Sequence, residues 1–329
     1  MVAQITKIER KYAAAPQTAR QKLRVFIPYD GSKAAEATLE NLSSAGLPDE
    51  LEALIAVMQV WLPLSPDEIS SAVSARRLKL LSSGLASHVP ALQDYEEQRV
   101  LSLEAERKLR VMFPKGLVRT EAIQDTAAVA QAILRNAKQW GAELIIVGSK
   151  NSPSSQITDY AGPALRVAKD AHCSVRIVRP SQRTPDSSTR ILICLDEGAS
   201  SQNVMNAVSE RSWPIGTIAH VVLVQKPGLH HAARAAGTDV LNTWTNTLRA
   251  TGLEVSIGTE HGAPEEVVLL GSRASPVDCV FIDPHYGRPE VFDSRGLSDV
   301  AAAVVLGAPC SVEVVRANSS KNRYLDEAA

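Results

Sequence analysis

Residues 141–180 decide the fold of this 329-residue chain: GAELIIVGSKNSPSSQITDYAGPALRVAKDAHCSVRIVRP. Their pattern predicts a strand, a loop, a helix and a second strand. Residues 142–147 form a short apolar run that ends on Gly148, as expected of a buried parallel strand. Pro163 suits the first position of a helix, where its missing N–H costs nothing. Ser174–Val178 is then the next strand.

The polar loop over residues 149–159 joins the first of these strands to the helix. A loop that leaves the carboxyl end of a strand and enters a helix N-terminus is the usual anion site of α/β folds. The stretch therefore predicts either a cradle for nucleotide phosphates or the remains of one.

In its spacing this stretch resembles the carboxyl-terminal third of a universal stress protein domain. In that family the strand ends in Gly, a second Gly follows after two residues, and a Gly-Ser or Gly-Thr pair follows after nine more. Gly148 fills the first position, Asn151 stands at the second, and Ala161 and Gly162 stand where the pair belongs. The distance to Cys173, which opens the closing strand, also matches.

The beginning of the domain resembles the same family. A strand is predicted over residues 23–27, followed by a turn through Pro28, Tyr29 and Asp30. The family's first strand ends in an Asp that contacts adenosine, often with a Pro two residues earlier. The segment TRILICLDEGAS, at residues 189–200, repeats this pattern with Asp196 in the place of Asp30.

The repeat predicts two α/β domains in tandem. The resemblance implies a Rossmann-like, adenine nucleotide alpha hydrolase-like fold, with two open, parallel, five-stranded sheets in the order 3-2-1-4-5, flanked by helices. The predicted boundaries are an N-terminal arm (1–22), a first domain with an extended second-helix region (23–180), a linker (181–188), a shorter second domain (189–316) and a C-terminal tail (317–329).

Two features concern contacts beyond a single domain. The closing strands, Ser174–Val178 and residues 311–315, are expected to face each other across a pseudo-two-fold axis, because related single domains dimerise and a free edge strand needs a partner. Residues 63–115 are interpreted as two helices. These helices either cover one face of the sheet or form an arm for partner binding.

The candidate nucleotide-binding residues lie in the first domain. They are Pro28, Tyr29, Asp30, Gly148, Ser149, Asn151, Ala161, Gly162 and Pro163.

The phosphate side of this site departs from the family pattern. Asn151 tolerates a left-handed conformation, but Ala161 adds a Cβ where the backbone should approach a phosphate, and Asp159 brings a negative charge to the helix N-terminus. In the second domain Asp283 replaces the strand-terminal Gly, and the loop after it is acidic. Weak nucleotide binding by the first domain and none by the second are therefore expected.

Composition excludes several classes of function. The chain has 35 basic and 36 acidic residues and 4% aromatics. It therefore lacks both the positive electrostatic potential and the aromatic stacking surface of a nucleic-acid binder. The sequence contains no apolar run of membrane-spanning length, no catalytic motif and no metal-ligand spacing. The lack of a catalytic motif predicts that the protein is not an enzyme. The four Cys lie in or beside apolar runs, which favours reduced, buried thiols in a cytoplasmic protein.

Two functions remain open. The favoured one is a regulatory or interaction module of the stress response, with an internal pseudo-dimer, an unidentified protein partner and weak or absent ATP binding; a further homodimer stays open. The alternative is an adenine-nucleotide sensor that binds ATP or AMP in the first domain only, with slow ATP hydrolysis as an open question.

Overall fold

The computed structural model describes residues 22–60, 90–125, 127–149, 162–180, 187–196, 201–225, 231–274, 276–287 and 296–317. The strands are β1 (Arg24–Tyr29), β2 (Glu52–Val60), β3 (Leu117–Asp125), β4 (Leu144–Gly148), β5 (Ser174–Val178), β6 (Arg190–Leu195), β7 (Ile218–Gln225), β8 (Glu254–His261), β9 (Cys279–Ile282) and β10 (Ser311–Val314). The helices are α1 (Lys33–Asn41), α2 (Pro90–Met112), α3 (Val129–Trp140), α4 (Pro163–Asp170), α5 (Ser201–Ser209), α6 (His231–Ala250), α7 (Pro264–Ala274) and α8 (Asp299–Gly307).

The ten strands form one sheet, in the order β3-β2-β1-β4-β5-β10-β9-β6-β7-β8. Within each half the strands are parallel and follow the expected order 3-2-1-4-5. The expectation of two separate sheets is wrong, because β5 and β10 pair in antiparallel orientation and make the sheet continuous. This pairing agrees with the expectation that the closing strands of the two halves face each other.

Most elements lie where the hydrophobic pattern places them, and the difference that bears on the candidate site concerns β1. The strand was expected over residues 23–27 but runs to Tyr29, because its pairing with β2 continues as far as Tyr29 opposite Val57. Pro28 and Tyr29 are therefore strand residues and not turn residues. Of the two helices expected over residues 63–115, the second is α2, and the first lies outside the described residues.

Three apolar cores hold the described part of the molecule together. A shared core contains residues of both halves, among them Val167 of α4 and Val304 of α8, and covers one face of the sheet. The opposite face carries two cores, one beneath α1 and α2 and one beneath α5 and α6. Of the cores formed by the described residues, only the shared core crosses the β5–β10 junction, so that face of the junction is closed by apolar packing.

Among the described residues, no helix combines the length and apolar character needed to cross a bilayer. The N-terminal arm, most of the predicted linker and nearly all of the C-terminal tail lie outside the described residues.

Candidate functional site

The first half places Asp30 directly after β1, at the carboxyl edge of the sheet. The Asp30 side chain is exposed, and its Oδ1 accepts a hydrogen bond of 3.0 Å from the backbone N–H of Ser32. Ser32 in turn begins α1, where its Oγ accepts a bond of 3.3 Å from Ala35 N–H. Among the described residues, the Asp30 carboxylate is therefore exposed at the switch point between β1 and β4, where the strand order reverses and an open α/β sheet binds its ligand.

Gly148 ends β4 and lies against helix α1. A Cβ at this position would lie 2.2 Å from the carbonyl oxygen of Ala34 and 3.0 Å from Oγ1 of Thr38. Thr38 Oγ1 also donates a 3.0 Å hydrogen bond to that carbonyl, which fixes the backbone that Gly148 approaches. The glycine is therefore required by the packing of α1 on β4, whether or not a phosphate binds nearby.

Tyr29 belongs to the packed interior of the first half. Its ring is 1% exposed, and its hydroxyl donates to the Glu36 carboxylate of α1, which also pairs with Lys108 of α2 at 2.5 Å. Burial, strengthened by the Glu36 hydrogen bond, raises the pKa of Tyr29 above its ordinary value. Although burial opposes it, hydrogen bonds from Lys108 and Tyr29 lower the pKa of Glu36. This group ties β1 to two helices and turns the Tyr29 hydroxyl toward Glu36 and not toward a ligand.

The remaining candidates of the first half fall into two sets. Pro28 is buried within β1, and Ser149 donates its backbone N–H to the Val178 carbonyl of β5 at 2.9 Å. Asn151 and Ala161 lie outside the described residues.

Gly162 and Pro163 open α4, as the sequence predicts. Gly162 is exposed and supplies no side-chain cap to the helix, and no other described residue comes within 4 Å of where its Cβ would be. The start of α4 thus keeps the backbone room that an anion would need.

The second half differs, because the side chain of Tyr286 fills the space at the carboxyl ends of β6 and β9, the counterparts of β1 and β4. The Tyr286 ring is 1% exposed, belongs to the shared core, and donates its hydroxyl to the Leu195 carbonyl at the end of β6 over 3.4 Å. Its backbone N–H bonds to the carbonyl of Asp283, directly after β9, at 3.2 Å. The side chain therefore spans the carboxyl ends of β6 and β9, the switch point at which an open α/β sheet binds its ligand.

The polar groups around Tyr286 are satisfied by the chain itself. Asp196, the counterpart of Asp30, accepts a 3.0 Å hydrogen bond from the backbone N–H of Gly287 through Oδ2, and another of 3.1 Å from Ser201 through Oδ1. The Asp283 carboxylate accepts from His285 N–H at 2.7 Å. A carboxylate thus occupies the loop N–H that a phosphate oxygen would require.

Helix α8 is also closed to an incoming anion. Ser298 caps its first turn, where Oγ accepts from Ala301 N–H at 3.0 Å. The same Oγ donates to the Tyr286 carbonyl at 2.8 Å, which anchors the loop that carries Tyr286.

Sequence reasoning identified the acidic loop of the second half but missed Tyr286. The signal was present as an aromatic residue three positions after the strand-terminal Asp283, in the segment DPHYG. A large apolar ring in a loop of this kind needs burial, and the open switch point offers it.

Two arginines at the junction of the halves were also missed. Arg316, which follows β10, donates to the carbonyls of Ala168 and Lys169 at the C-terminal end of α4, at 2.7 and 3.2 Å. Arg179, which follows β5, donates to the Val305 carbonyl near the end of α8 and to the Cys310 carbonyl at 3.0 Å. Each half thus places a cation at the helix C-terminus of the other, where the helix dipole favours it.

The backbone N–H groups of these two arginines also form hydrogen bonds with the opposite half. Arg316 N–H donates to Ser174 Oγ at 3.0 Å, and Arg179 N–H donates to Ser311 Oγ at 3.2 Å. The repeated segments SVRIVR and SVEVVR, at residues 174–179 and 311–316, contained this signal in the sequence.

The chemistry of other side chains in the described ranges is limited. No group of three or more potential metal ligands occurs there. The four Cys are unpaired and buried, and burial raises the pKa of each thiol, to about 11 for Cys310. These thiols are therefore protonated and shielded at neutral pH, as expected from the sequence.

Comparison with known proteins identifies the fold. No family model and no curated protein sequence matches the chain. A universal stress protein from Archaeoglobus fulgidus DSM 4304 aligns over 90% of this chain and 97% of its own, with a TM-score of 0.58 and 17% identity. A putative universal stress protein from Pseudomonas aeruginosa UCBPP-PA14 aligns over 93% and 96%, with a TM-score of 0.53 and 12% identity. The chain has the fold of the universal stress proteins.

Proposed function

We propose that this chain is a regulatory or interaction module of the stress response, in which two universal stress-type halves act as an internal dimer and nucleotide binding is weak or absent. The observation that carries the proposal is Tyr286. Its ring fills the ligand position of the second half, and Asp196 uses the adjacent loop N–H of Gly287. One of the two candidate nucleotide sites is therefore closed by the chain itself.

The first half supports only part of a nucleotide site. Asp30 is exposed at the end of β1 and can accept a hydrogen bond from a ribose hydroxyl or an adenine amine. On the phosphate side, Asn151 and Ala161 replace two small residues of the family pattern, and Asp159 adds a negative charge. Losing a charge-assisted hydrogen bond costs about 1.5–3 kcal/mol, or roughly 10- to 100-fold in affinity.

Calorimetry with ATP and AMP tests this proposal. The wild type is expected to bind both nucleotides with dissociation constants above the micromolar range, or not at all. The Asn151→Gly/Ala161→Gly variant should gain more affinity for ATP than for AMP, because AMP lacks the β- and γ-phosphates that the restored glycines would accommodate. Asp30→Ala should abolish whatever binding the first half has. The matched control is Asp196→Ala, the same substitution in the closed half, which should leave nucleotide affinity unchanged.

The alternative function is an adenine-nucleotide sensor that uses the first half alone. It is favoured by the exposed Asp30 and by the start of α4, where Gly162 leaves open space and supplies no side-chain cap. Adenine nucleotide released when the purified protein is denatured, or submicromolar ATP binding that Asp30→Ala removes, would establish the sensor and refute the first proposal. Phosphate release from ATP by such a sample would then address hydrolysis.

A further inference from the structure

The antiparallel junction has a pseudo-two-fold axis that passes through a single pair of residues. Val312 lies opposite Ile177, Glu313 opposite Arg176, and Val314 opposite Val175. In the repeat, residues 174–179 correspond to residues 311–316, so the first and last pairs exchange under the two-fold rotation. The central pair, Arg176 and Glu313, is mapped onto itself and lies on the axis.

The contacts at the two ends of this strand pair are alike in the two halves, but the axial residues have opposite charge. The serine contacts and the helix-capping arginines occur in both directions, as described above. Arg176 and Glu313 are each fully buried, and Arg176 Nη1 lies 3.2 Å from Glu313 Oε2. They point away from the shared core, since the neighbouring strand residues on either side face into it.

The surroundings of the axial pair are equally unsymmetrical. Arg176 Nε donates to Asn41 Oδ1 at 2.9 Å, whereas Arg211 of the second half donates to the other oxygen of Glu313 and to the Ala45 carbonyl at 2.8 Å. Counted from Asp30 and Asp196, Arg211 corresponds to Ala45, so the first half has no charge at the matching position. One buried carboxylate therefore serves two buried guanidinium groups.

We propose that the axial charge makes the pairing surface of β5 selective for a strand that carries an acid opposite Arg176, which commits the first half to the second half and excludes pairing with another first half. Two first halves in this register would place Arg176 against Arg176, with no carboxylate from either strand. A buried cation left without its counter-ion strongly destabilises the pairing around it.

The proposal is tested in the full-length chain by placing an arginine opposite Arg176. Glu313→Arg places two arginines face to face on the axis, as in a pair of first halves, and leaves Arg211 of the second half beside them. The matched control, Glu313→Leu, removes the acid without adding a charge. The charge exchange Arg176→Glu/Glu313→Arg restores an opposite pair and keeps the cluster's net charge. The measurement is amide hydrogen exchange of β5 and β10, read by mass spectrometry.

Glu313→Arg is expected to reduce the protection of β5 and β10 on the order of 100-fold relative to wild type, and more than Glu313→Leu does, because it adds a third buried cation. The charge exchange should recover at least about tenfold of that loss, since an ion pair again lies on the axis. If Glu313→Arg fails to fold, recovery of soluble, protected protein in the charge exchange carries the test. The selectivity would be overturned if β5 and β10 were no better protected in the charge exchange than in Glu313→Arg. It would also be overturned if they were no less protected in Glu313→Arg than in Glu313→Leu.

Discussion

At the scale of single residues, a family position and a packing position coincide at Gly148. In the sequence this glycine matches a position that the resemblance assigns to nucleotide binding. In the structure its missing Cβ makes room for the Ala34 carbonyl of α1. The residue therefore fits both roles, and keeping it is no evidence that a phosphate binds.

Gly148→Ala tests the packing role. A Cβ placed 2.2 Å from a backbone oxygen forces α1 or β4 to move, and we expect a loss of about 1–3 kcal/mol in the free energy of unfolding, measured by urea denaturation. Gly162→Ala is the control, because its Cβ would meet no atom of the other described residues within 4 Å. It should change stability by less than about 1 kcal/mol, as a helix-start exchange does. Equal losses of unfolding free energy in the two variants would contradict the packing role of Gly148.

At the scale of elements, the helices and closing strands of one half depend on the other half. Arg179 comes from the end of β5 but donates to the Val305 carbonyl of α8 and to the Cys310 carbonyl beyond that helix. Arg316 follows β10 but donates to two carbonyls at the end of α4. Burial lowers the pKa of both guanidinium groups, although each remains within hydrogen-bond reach of several carbonyls. The two arginines therefore join the halves through hydrogen bonds near the helix ends.

Exchanging each arginine for methionine should therefore loosen the helix of the opposite half. Arg179→Met is expected to raise amide exchange in the last turn of α8 with little change in α4, and Arg316→Met should do the reverse. A cation at a helix C-terminus contributes about 0.3–1 kcal/mol, and up to about 2 kcal/mol when partly buried, so an increase of several-fold is expected. Faster exchange in the helix of the same half would show that the contacts act locally.

The sequence predicts the elements well but not the side chains that cross between them. Ser174–Val178 was located to the residue because a short apolar run between turn signals has one interpretation in an α/β chain. The continuous sheet was missed, since separate and joined sheets bury the same strands. Tyr286 was missed for a related reason: local pattern cannot show that a loop side chain returns to fill the end of its own sheet.

At the scale of the whole molecule, the continuous sheet and the shared core couple the two halves. The shared core contains Ile177 of β5 and Val312 of β10, which lie opposite each other in the ladder. The edges of β5 and β10 already pair with each other within the chain. A homodimer of this protein would therefore have to use another surface.

We expect the two halves to unfold together. In hydrogen exchange measured over a urea series, peptides from β1 of the first half and β6 of the second half should share one midpoint, because neither half keeps a complete core without the other. Ile177→Asp places a charge in the shared core at the junction and should separate the two midpoints. Ile215→Asp makes the same substitution at a fully exposed side chain and should preserve the single midpoint. Different midpoints in the wild type would mean that the halves are stable independently, and that β5 and β10 join two domains without coupling their folding.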